Sequence, residues 1–550
     1  MAIRRIIWLL LFCFLWVHTE ANTFFRSVDI TTRGSGNPLR FFIFKNRLYF
    51  TATDSVHGYE LWSSDGTPSG TKMFADLTPG ISNSVLDNYI IYHNKLYFQN
   101  IVSYDSLQIW CTDGTTWGTQ LIKTVYAVPA ANPYHPSTAF TLCNDKLFFA
   151  ADSGQAGSEL WISDGTTAGT YMLKDINPTG TGISGSSYPE QITAYNGNIY
   201  FTANDAIHGV EMWESDGTTA GTQLLRDINP GPFHSNPRGF TVFINKMWFF
   251  ANDSTHGSEL WTSNGTTTGT YLFLDINPGS ASSGFSKPFE QNNILVFTAN
   301  DGITGTELWI TDGTQGKTIP VADINRGSNG SNPHYFSVCG KRLYFVANDG
   351  IHGTEPWVTD FAANGTHILR DIAPGSDGSY PSVATPYAGQ FYFEADAHAG
   401  DAQLYESDGT ETGTNMLQPA NAYNNALVAV YQPAMLPILN GALYFPAYYN
   451  DIGNELWSLT NYLAQGVTSL SGKDMNIYPN PNHGSFTINT GNADFTGRIH
   501  ICDVAGREVY YNNSVSGMEI NVQLPSAAAG LYFLKICSNT GISTYKIVVR

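Results

Sequence analysis

The chain has 550 residues, and its 27 basic and 46 acidic side chains leave a formal net charge of −19. That balance excludes nucleic acid as a partner, because phosphate binding needs clustered Lys and Arg. A charged fraction of 13%, an equal aromatic fraction and 53 glycines point to an all-β chain with many tight turns.

Residues 1–21 read as a signal peptide. Arg4 and Arg5 supply the positive start, Ile6 to Val17 is an apolar run too short for a membrane span, and Thr19-Glu20-Ala21 offers a cleavage site. Cys13 follows Phe12, whereas a lipidation site needs a small residue there. Removing the leader takes away Arg4, Arg5 and Glu20, which leaves 25 basic and 45 acidic residues. No later stretch is apolar enough to span a bilayer, so no transmembrane segment is expected in the mature chain. Five cysteines follow: Cys111, Cys143, Cys339, Cys502 and Cys537. An odd, scattered set is no disulfide framework, although Cys502 and Cys537 share a terminal region and are a candidate pair.

From residue 60 onward one motif recurs. Its aromatic position falls at Trp62, Trp110, Trp161, Trp213, Trp261, Trp309, Trp357, Tyr405 and Trp457, with steps of 48, 51, 52, 48, 48, 48, 48 and 52 residues. The fullest copies read E-L-W-x-S/T-D-G-T-x-x-G-T, as in Glu60 to Thr71. A period near 50 marks a supersecondary unit that cannot bury its own apolar face. In the copy from Asn236 to Ile276, Gly239–Ile244 alternates as a strand, Asn245-Lys246 is a turn, and Met247–Ala251 is a second strand. A polar loop, Asn252–Gly257, leads to a third strand, Glu259–Ser263. Asn264-Gly265, Asp-Gly in most copies, reads as a hairpin turn requiring positive φ before a fourth strand, Thr270–Ile276.

Four short strands per copy describe a propeller blade. The mature chain opens on Val28-Asp29-Ile30, the tail of a repeat, whereas Glu455-Leu456-Trp457 has no fourth strand after it. The N-terminal segment is therefore expected to complete the last blade and remove two sheet edges. The fold expected is all-β: a closed β-propeller of about nine four-stranded blades, with eight as the alternative because the second and ninth copies are weakest, followed by a small C-terminal β-sandwich.

The repeat resembles the ELWxxDGT-repeat proteins of bacterial surfaces over roughly Ser27 to Leu459. That resemblance implies architecture and no general activity. After residue 461 the period stops and 462–473 reads as a linker. Then follow Tyr478-Pro479-Asn480-Pro481, Gly484 and Phe486, a strand ending in Gly506-Arg507, Gly530-Leu531-Tyr532, and a terminal strand from Lys546 to Arg550. This order resembles the type A C-terminal sorting domain of the type IX secretion system. The resemblance implies a seven-stranded β-sandwich that directs export across the outer membrane of a didermal bacterium. It is usually cleaved off there, and the cargo is attached to the surface or released. The expected division is a signal peptide at 1–21, a repeat propeller at 22–461, the linker, and a sorting domain at 474–550.

The candidate chemistry sits in the loop before the Trp strand. Asp54/Glu60, Asp205/Glu211, Asp253/Glu259, Asp301/Glu307 and Asp349/Glu355 recur there, and His57, His208, His256 and His352 precede glycine in four of these loops. Two carboxylates with backbone carbonyls begin a calcium site, and with imidazole a transition-metal site. Against that, Asp suits turns by bonding its own backbone, and a feature copied in most blades usually serves the blade. The structural reading is therefore preferred, no cofactor is assigned, and calcium stays the candidate metal. The repeated Trp is read as filling the space between sheets rather than stacking on sugars. The D-G-T turn at Asp65 or Asp216 resembles the Asp-box of sialidases, but here the aromatic precedes the turn and basic residues are sparse.

No Ser-His-Asp, Cys-His or His-Glu-x-x-His arrangement is visible, so no catalytic residue is assigned. Specificity is expected in three irregular segments: Ala127–Pro136, Thr179–Tyr188 and Pro419–Pro437. The functional expectation is a secreted or surface-attached binding or adhesion module. Its partners would be the type IX machinery and a glycan or surface-protein ligand. The alternatives are an enzyme acting on extracellular polysaccharide and a structural surface-layer component.

Overall fold

A computed structural model describes residues 23–28, 30–31, 34–54, 56–103, 106–126, 139–284, 286–397, 402–417, 428–429, 435–448, 453–460, 476–480, 484–490, 495–503, 508–524, 530–538 and 541–549. The signal peptide, the linker, the segment 127–136 and most of 419–437 therefore lie outside the described residues. The chain forms two compact units, Met1–Thr460 and Asn461–Arg550.

In the first unit, eight antiparallel sheets of four strands follow one another, each in chain order 1-2-3-4. They span residues 39–75, 85–125, 141–174, 190–226, 238–274, 289–320, 334–368 and 385–416 and are called sheets 1 to 8. The weak second copy forms a four-stranded sheet like the others. In sheet 9, Asn454–Thr460 lies between Ala442–Tyr448 and the N-terminal strand Thr23–Val28, with Phe25 opposite Ser458. Val428–Ala429 and Ile438–Leu439 both pair with Ala442–Tyr448.

Sheet 5 shows how the sequence produces this unit. Its strands are Arg238–Phe243, Lys246–Asn252, Ser258–Ser263 and Tyr271–Leu274. The first turn is Ile244-Asn245, both at positive φ, one residue earlier than Asn245-Lys246. The fourth strand stops at Leu274 rather than Ile276, because the Ile276 N–H bonds the Glu259 carboxylate instead of the ladder.

The D-G-T segment is also not a two-residue hairpin. The strands on either side of Asn264-Gly265 end at Ser263 and resume at Tyr271, and only the glycine takes positive φ (+87°). In sheet 1, Asp65 Oδ1 accepts the Thr67 N–H (2.9 Å) and hydroxyl (2.7 Å), and Thr67 Oγ1 accepts the Gly70 N–H (3.0 Å). Thr71 Oγ1 joins Ser64 Oγ at 2.6 Å. A Cβ on Gly70 would sit 1.9 Å from Asp65 Oδ1, which explains the second glycine of the motif. The loop satisfies its own polar groups, so the motif repeats as a unit.

The repeated tryptophans lie between neighbouring sheets. Trp261 packs with Phe249 and Ala251 of its own sheet against Met212, Leu225 and Ile228 of sheet 4. Trp62, Trp161, Trp213, Trp261, Trp309, Trp357 and Trp457 are 4–8% exposed. Burial of such a side chain contributes about 1.5–3 kcal/mol. Equivalent clusters join sheets 1 to 8 in sequence. Sheet 8 meets sheet 9 through the Tyr387 hydroxyl on the Gly441 carbonyl (2.5 Å) and the Leu436 N–H on Thr385 Oγ1 (2.7 Å). Sheet 9 contributes Leu439, Tyr444 and Leu456 to a cluster with Leu48, Phe50 and Trp62 of sheet 1.

Among the described residues, the second unit has seven strands in two sheets. Asn476–Tyr478, Ser485–Asn489 and Glu519–Gln523 form one, and Glu508–Ser516, Thr496–Asp503, Gly530–Ser538 and Gly541–Val549 the other. Phe486, Ile488 and Val522 from the first share a core with Ile499, Leu534 and Ile547 from the second. Cys502 faces Phe533 and Cys537 faces Arg498, so the two cysteines are four rungs apart. At about 3.4 Å per rung that is about 14 Å, beyond the ~7 Å that a disulfide spans. The candidate pairing is thus excluded by strand register. Cys111, Cys143 and Cys339 are free thiols.

A candidate binding face of paired loops

In a sheet ordered 1-2-3-4, the link between strands 2 and 3 and the link leaving strand 4 emerge at the same end. The candidate Asp/Glu/His residues belong to this end of each sheet. Neighbouring sheets are aligned, as the bond from Asn144 in the first turn of sheet 3 to the Gly197 carbonyl in the first turn of sheet 4 indicates at the other end. The described loops before the Trp strands therefore belong to one face.

The Asp folds its own loop. Asp205 Oδ1 accepts the N–H groups of Ile207 (2.9 Å) and His208 (2.8 Å), and Oδ2 meets His208 Nδ1 at 2.7 Å. Asp54, Asp253 and Asp349 repeat this with His57, His256 and His352 at 2.7, 2.8 and 2.7 Å. Asp301 makes the same loop with Thr304 in place of His. Burial acts to raise the Asp205 carboxyl, but the N–H donors and the imidazole outweigh it and hold it below its ordinary value. The hydrogen bond to Asp205 raises His208 in turn. The glycine after His has two functions. Gly209 sits at φ +75°, and a Cβ there would lie 2.3 Å from the Phe233 carbonyl, so the loop can lean on the link that follows strand 4.

The Glu works elsewhere. Glu60, Glu159, Glu211, Glu259, Glu307 and Glu355 are fully buried. Glu211 accepts the N–H groups of Ile228 (2.8 Å) and Ser235 (2.9 Å) and the Ser235 hydroxyl (2.6 Å). Each of these carboxylates thus ties the link after strand 4 back onto strand 3. Glu159 does so with Ser187, which lies in the irregular segment 179–188, so that insertion is built around the same anchor. Burial pushes Glu60, Glu159, Glu211, Glu259 and Glu355 up to about 7 and raises Glu307. Gln108 and Gln403 take the Glu position in sheets 2 and 8.

The two carboxylates of each calcium candidate thus face different partners: Asp its own turn, Glu a buried backbone. Among the described residues, no three His, Cys, Asp or Glu side chains come together as metal ligands. The role of Glu was readable in principle. Glu and Trp are two residues apart in a strand and share a face, so a buried Trp implies a buried Glu.

This face also presents apolar side chains outward. Eight described hydrophobic side chains are at least 61% exposed: Val56, Ile81, Trp117, Ile207, Phe233, Ile303, Ile351 and Tyr380. All but Trp117 lie in the loops of this face.

In the second unit the expected sorting residues are partly brought together. Asn480 Oδ1 accepts the Val548 N–H (2.8 Å), which ties the Tyr478-Pro479-Asn480 start to the last strand. The Tyr478 hydroxyl donates to Glu519 (2.8 Å). Gly484 takes φ +85°, and its carbonyl accepts the Leu524 N–H (2.6 Å). Gly530 pairs with Val549, buried Tyr532 with Ile547, and Lys546 with Phe533 in the backbone ladder. Pro481, Gly506, Arg507 and Arg550 lie outside the described residues, as does the Lys546 side chain.

Residues 476–550 match the family model of the secretion system C-terminal sorting domain. No curated protein matches the chain. Among solved structures, the chain is similar to a puromycin hydrolase mutant complexed with PGG, with 13% identity and a TM-score of 0.35 over 66% of this chain and 58% of that one. It is also similar to one of two prolyl endopeptidases, with 7% identity and a TM-score of 0.39 over 70% and 54% of the respective chains. A third is the β-propeller domain of the Trilobed protease from Pyrococcus furiosus, described as having an open velcro topology, with 9% identity and a TM-score of 0.31 over 62% and 99%. The chain thus spans little more than half of the first two proteins.

Proposed function

We propose that residues 22–461 form a closed β-propeller of nine blades that is exported by the type IX secretion system and acts as a binding or adhesion module. The ligand is a glycan or another surface protein, and the site of action is the outer surface or the extracellular space.

The sorting-domain match indicates secretion or surface export. Closure is supported by sheet 9, in which Glu455 accepts the N–H groups of Ile30 (3.0 Å) and Gly36 (3.1 Å). This is the task that Glu211 performs for Ile228 and Ser235, with the N-terminal segment standing in for the missing link. The observation that carries the binding reading is the gathering of seven strongly exposed apolar side chains on one face. Exposed apolar side chains that recur at the loops of one face favour an interaction site there. The calcium reading of the Asp/Glu pairs stays with this proposal as a tested variable.

The test is a glycan and cell-wall-fragment array probed with the full chain, with and without calcium, followed by product analysis of each hit. Binding without turnover is expected. Release of cleaved product would replace the binding reading with a polysaccharide-acting enzyme. Self-association without any ligand would replace it with a surface-layer component.

A further inference from the structure

We infer that the loop face of the repeat unit docks a protein segment that is both basic and apolar. The inference rests on the binding reading above and adds the chemistry of the partner. In three sheets both links carry an exposed apolar tip: Val56 with Ile81, Ile207 with Phe233, and Ile351 with Tyr380. Each pair is fixed by short contacts between the two links. A Cβ on Gly58, Gly209 or Gly353 would lie 2.4, 2.3 or 2.4 Å from the neighbouring link, and the Ser84, Ser235 and Ser379 N–H groups bond strand 3 at 2.7, 3.1 and 2.9 Å. The backbone of the links that carry the tips is therefore held in place before a partner arrives, which lowers the ordering cost of association.

Charge selects the partner. Over the described links between strands 2 and 3 and after strand 4 there are twelve aspartates, against Lys287, Arg326 and Arg370 as the basic residues. Of these three, Arg370 donates to the Thr414 carbonyl (2.8 Å), at the end of the Asp408 loop on the opposite face. That opposite face is balanced differently: Arg47 lies 3.7 Å from Asp65, Lys146 3.9 Å from Asp164 and Lys317 3.1 Å from Asp312. Four of the aspartates are paired with His57, His208, His256 and His352, and the links still carry more acidic than basic side chains, a field that disfavours anionic lipid and nucleic acid and attracts Lys and Arg. Apolar tips then require apolar side chains on the same partner. A neutral glycan would use the tips and gain nothing from the negative field of the links.

The test uses the full chain on immobilised peptides: one alternating Lys with Leu, one Glu with Leu, one Lys with Ser. The variants are a quadruple one (Ile207→Ser, Phe233→Ser, Ile351→Ser, Tyr380→Ser) and Trp117→Ser on the opposite face. All five positions are strongly exposed, so unfolding midpoints are expected to stay at the native value, and this is measured alongside. The Lys/Leu peptide is expected to bind at least about ten-fold tighter than either other peptide and to weaken with salt. The quadruple variant loses at least about ten-fold, and Trp117→Ser stays within about two-fold. Equal binding of Lys/Leu and Glu/Leu, an unchanged quadruple variant, or no peptide binding would overturn the inference. Glycan binding that survives the quadruple change would overturn it while leaving the binding-module reading intact.

Discussion

Replacing Glu211 with Gln separates the charge of the repeated Glu from its hydrogen bonds. In the folded chain this carboxyl is fully buried and titrates near 7, whereas its ordinary value is 4.5. The folded state therefore binds the proton more tightly than the unfolded state. The stability linked to that proton is complete below about pH 4.5 and is lost as pH rises through 7. The gap is about 2.5 units, which at about 1.4 kcal/mol per unit amounts to about 3 kcal/mol lost by pH 8.

The Glu211→Gln variant would carry no such loss. The new amide oxygen can keep the Ile228 N–H and the Ser235 hydroxyl, which share one Glu211 oxygen, while the amide NH₂ faces the Ser235 N–H. That donor-to-donor contact costs about 1–3 kcal/mol at every pH. Urea unfolding at pH 5 and pH 8 is the assay. The variant should be less stable than the native chain at pH 5, and its deficit should shrink or reverse at pH 8. A deficit that grows with pH would mean that the three donors outweigh burial, and the argument would fail.

Gly209→Ala should cost more than about 2 kcal/mol, since a Cβ would meet the Phe233 carbonyl at 2.3 Å, whereas Gly279→Ala, with open space around it, should cost about 1 kcal/mol of backbone strain alone. Comparing their unfolding midpoints checks this. Asp216→Ala should lose about 1 kcal/mol with the Thr218 bonds, and Asp216→Asn should be close to neutral, because Asn264 makes the equivalent bonds in sheet 5. Millimolar calcium should leave the melting temperature of the chain unchanged, and a rise abolished by Asp205→Asn would identify the Asp/Glu loops as ligands. Deleting residues 476–550 should leave the protein inside the cell envelope, and fractionation showing normal export of the truncated chain would remove the sorting role from this segment.

The period near 50, the four strands per copy and the pairing of Thr23–Val28 with the last repeat strand were all legible, because tight turns and alternating aromatics mark strands locally. The links were harder. Asp-Gly looks like a hairpin turn, yet Asp65 organises a longer loop with Thr67 and Gly70. Ile276 looks like strand, yet its N–H belongs to Glu259. Glu211 looks like a loop carboxylate open to a metal, since an anion on a buried face is costly unless donors are waiting, and those donors come from Ile228 and Ser235, 17 and 24 residues away. The apolar face was invisible for the same reason. Ile207 and Phe233 are distant in sequence, and their links come together where Gly209 lies against the Phe233 carbonyl.

Ring closure is the central claim of the proposed fold, because an open array would leave the N-terminal segment and the last repeat strand apart. Phe25 and Ser458 face each other across the N-terminal strand and the last repeat strand. A chain carrying Phe25→Cys and Ser458→Cys should, on mild oxidation, form a cross-link within one molecule that migrates faster on a non-reducing gel than the unsubstituted chain. Cross-links only between molecules, or none, would contradict closure.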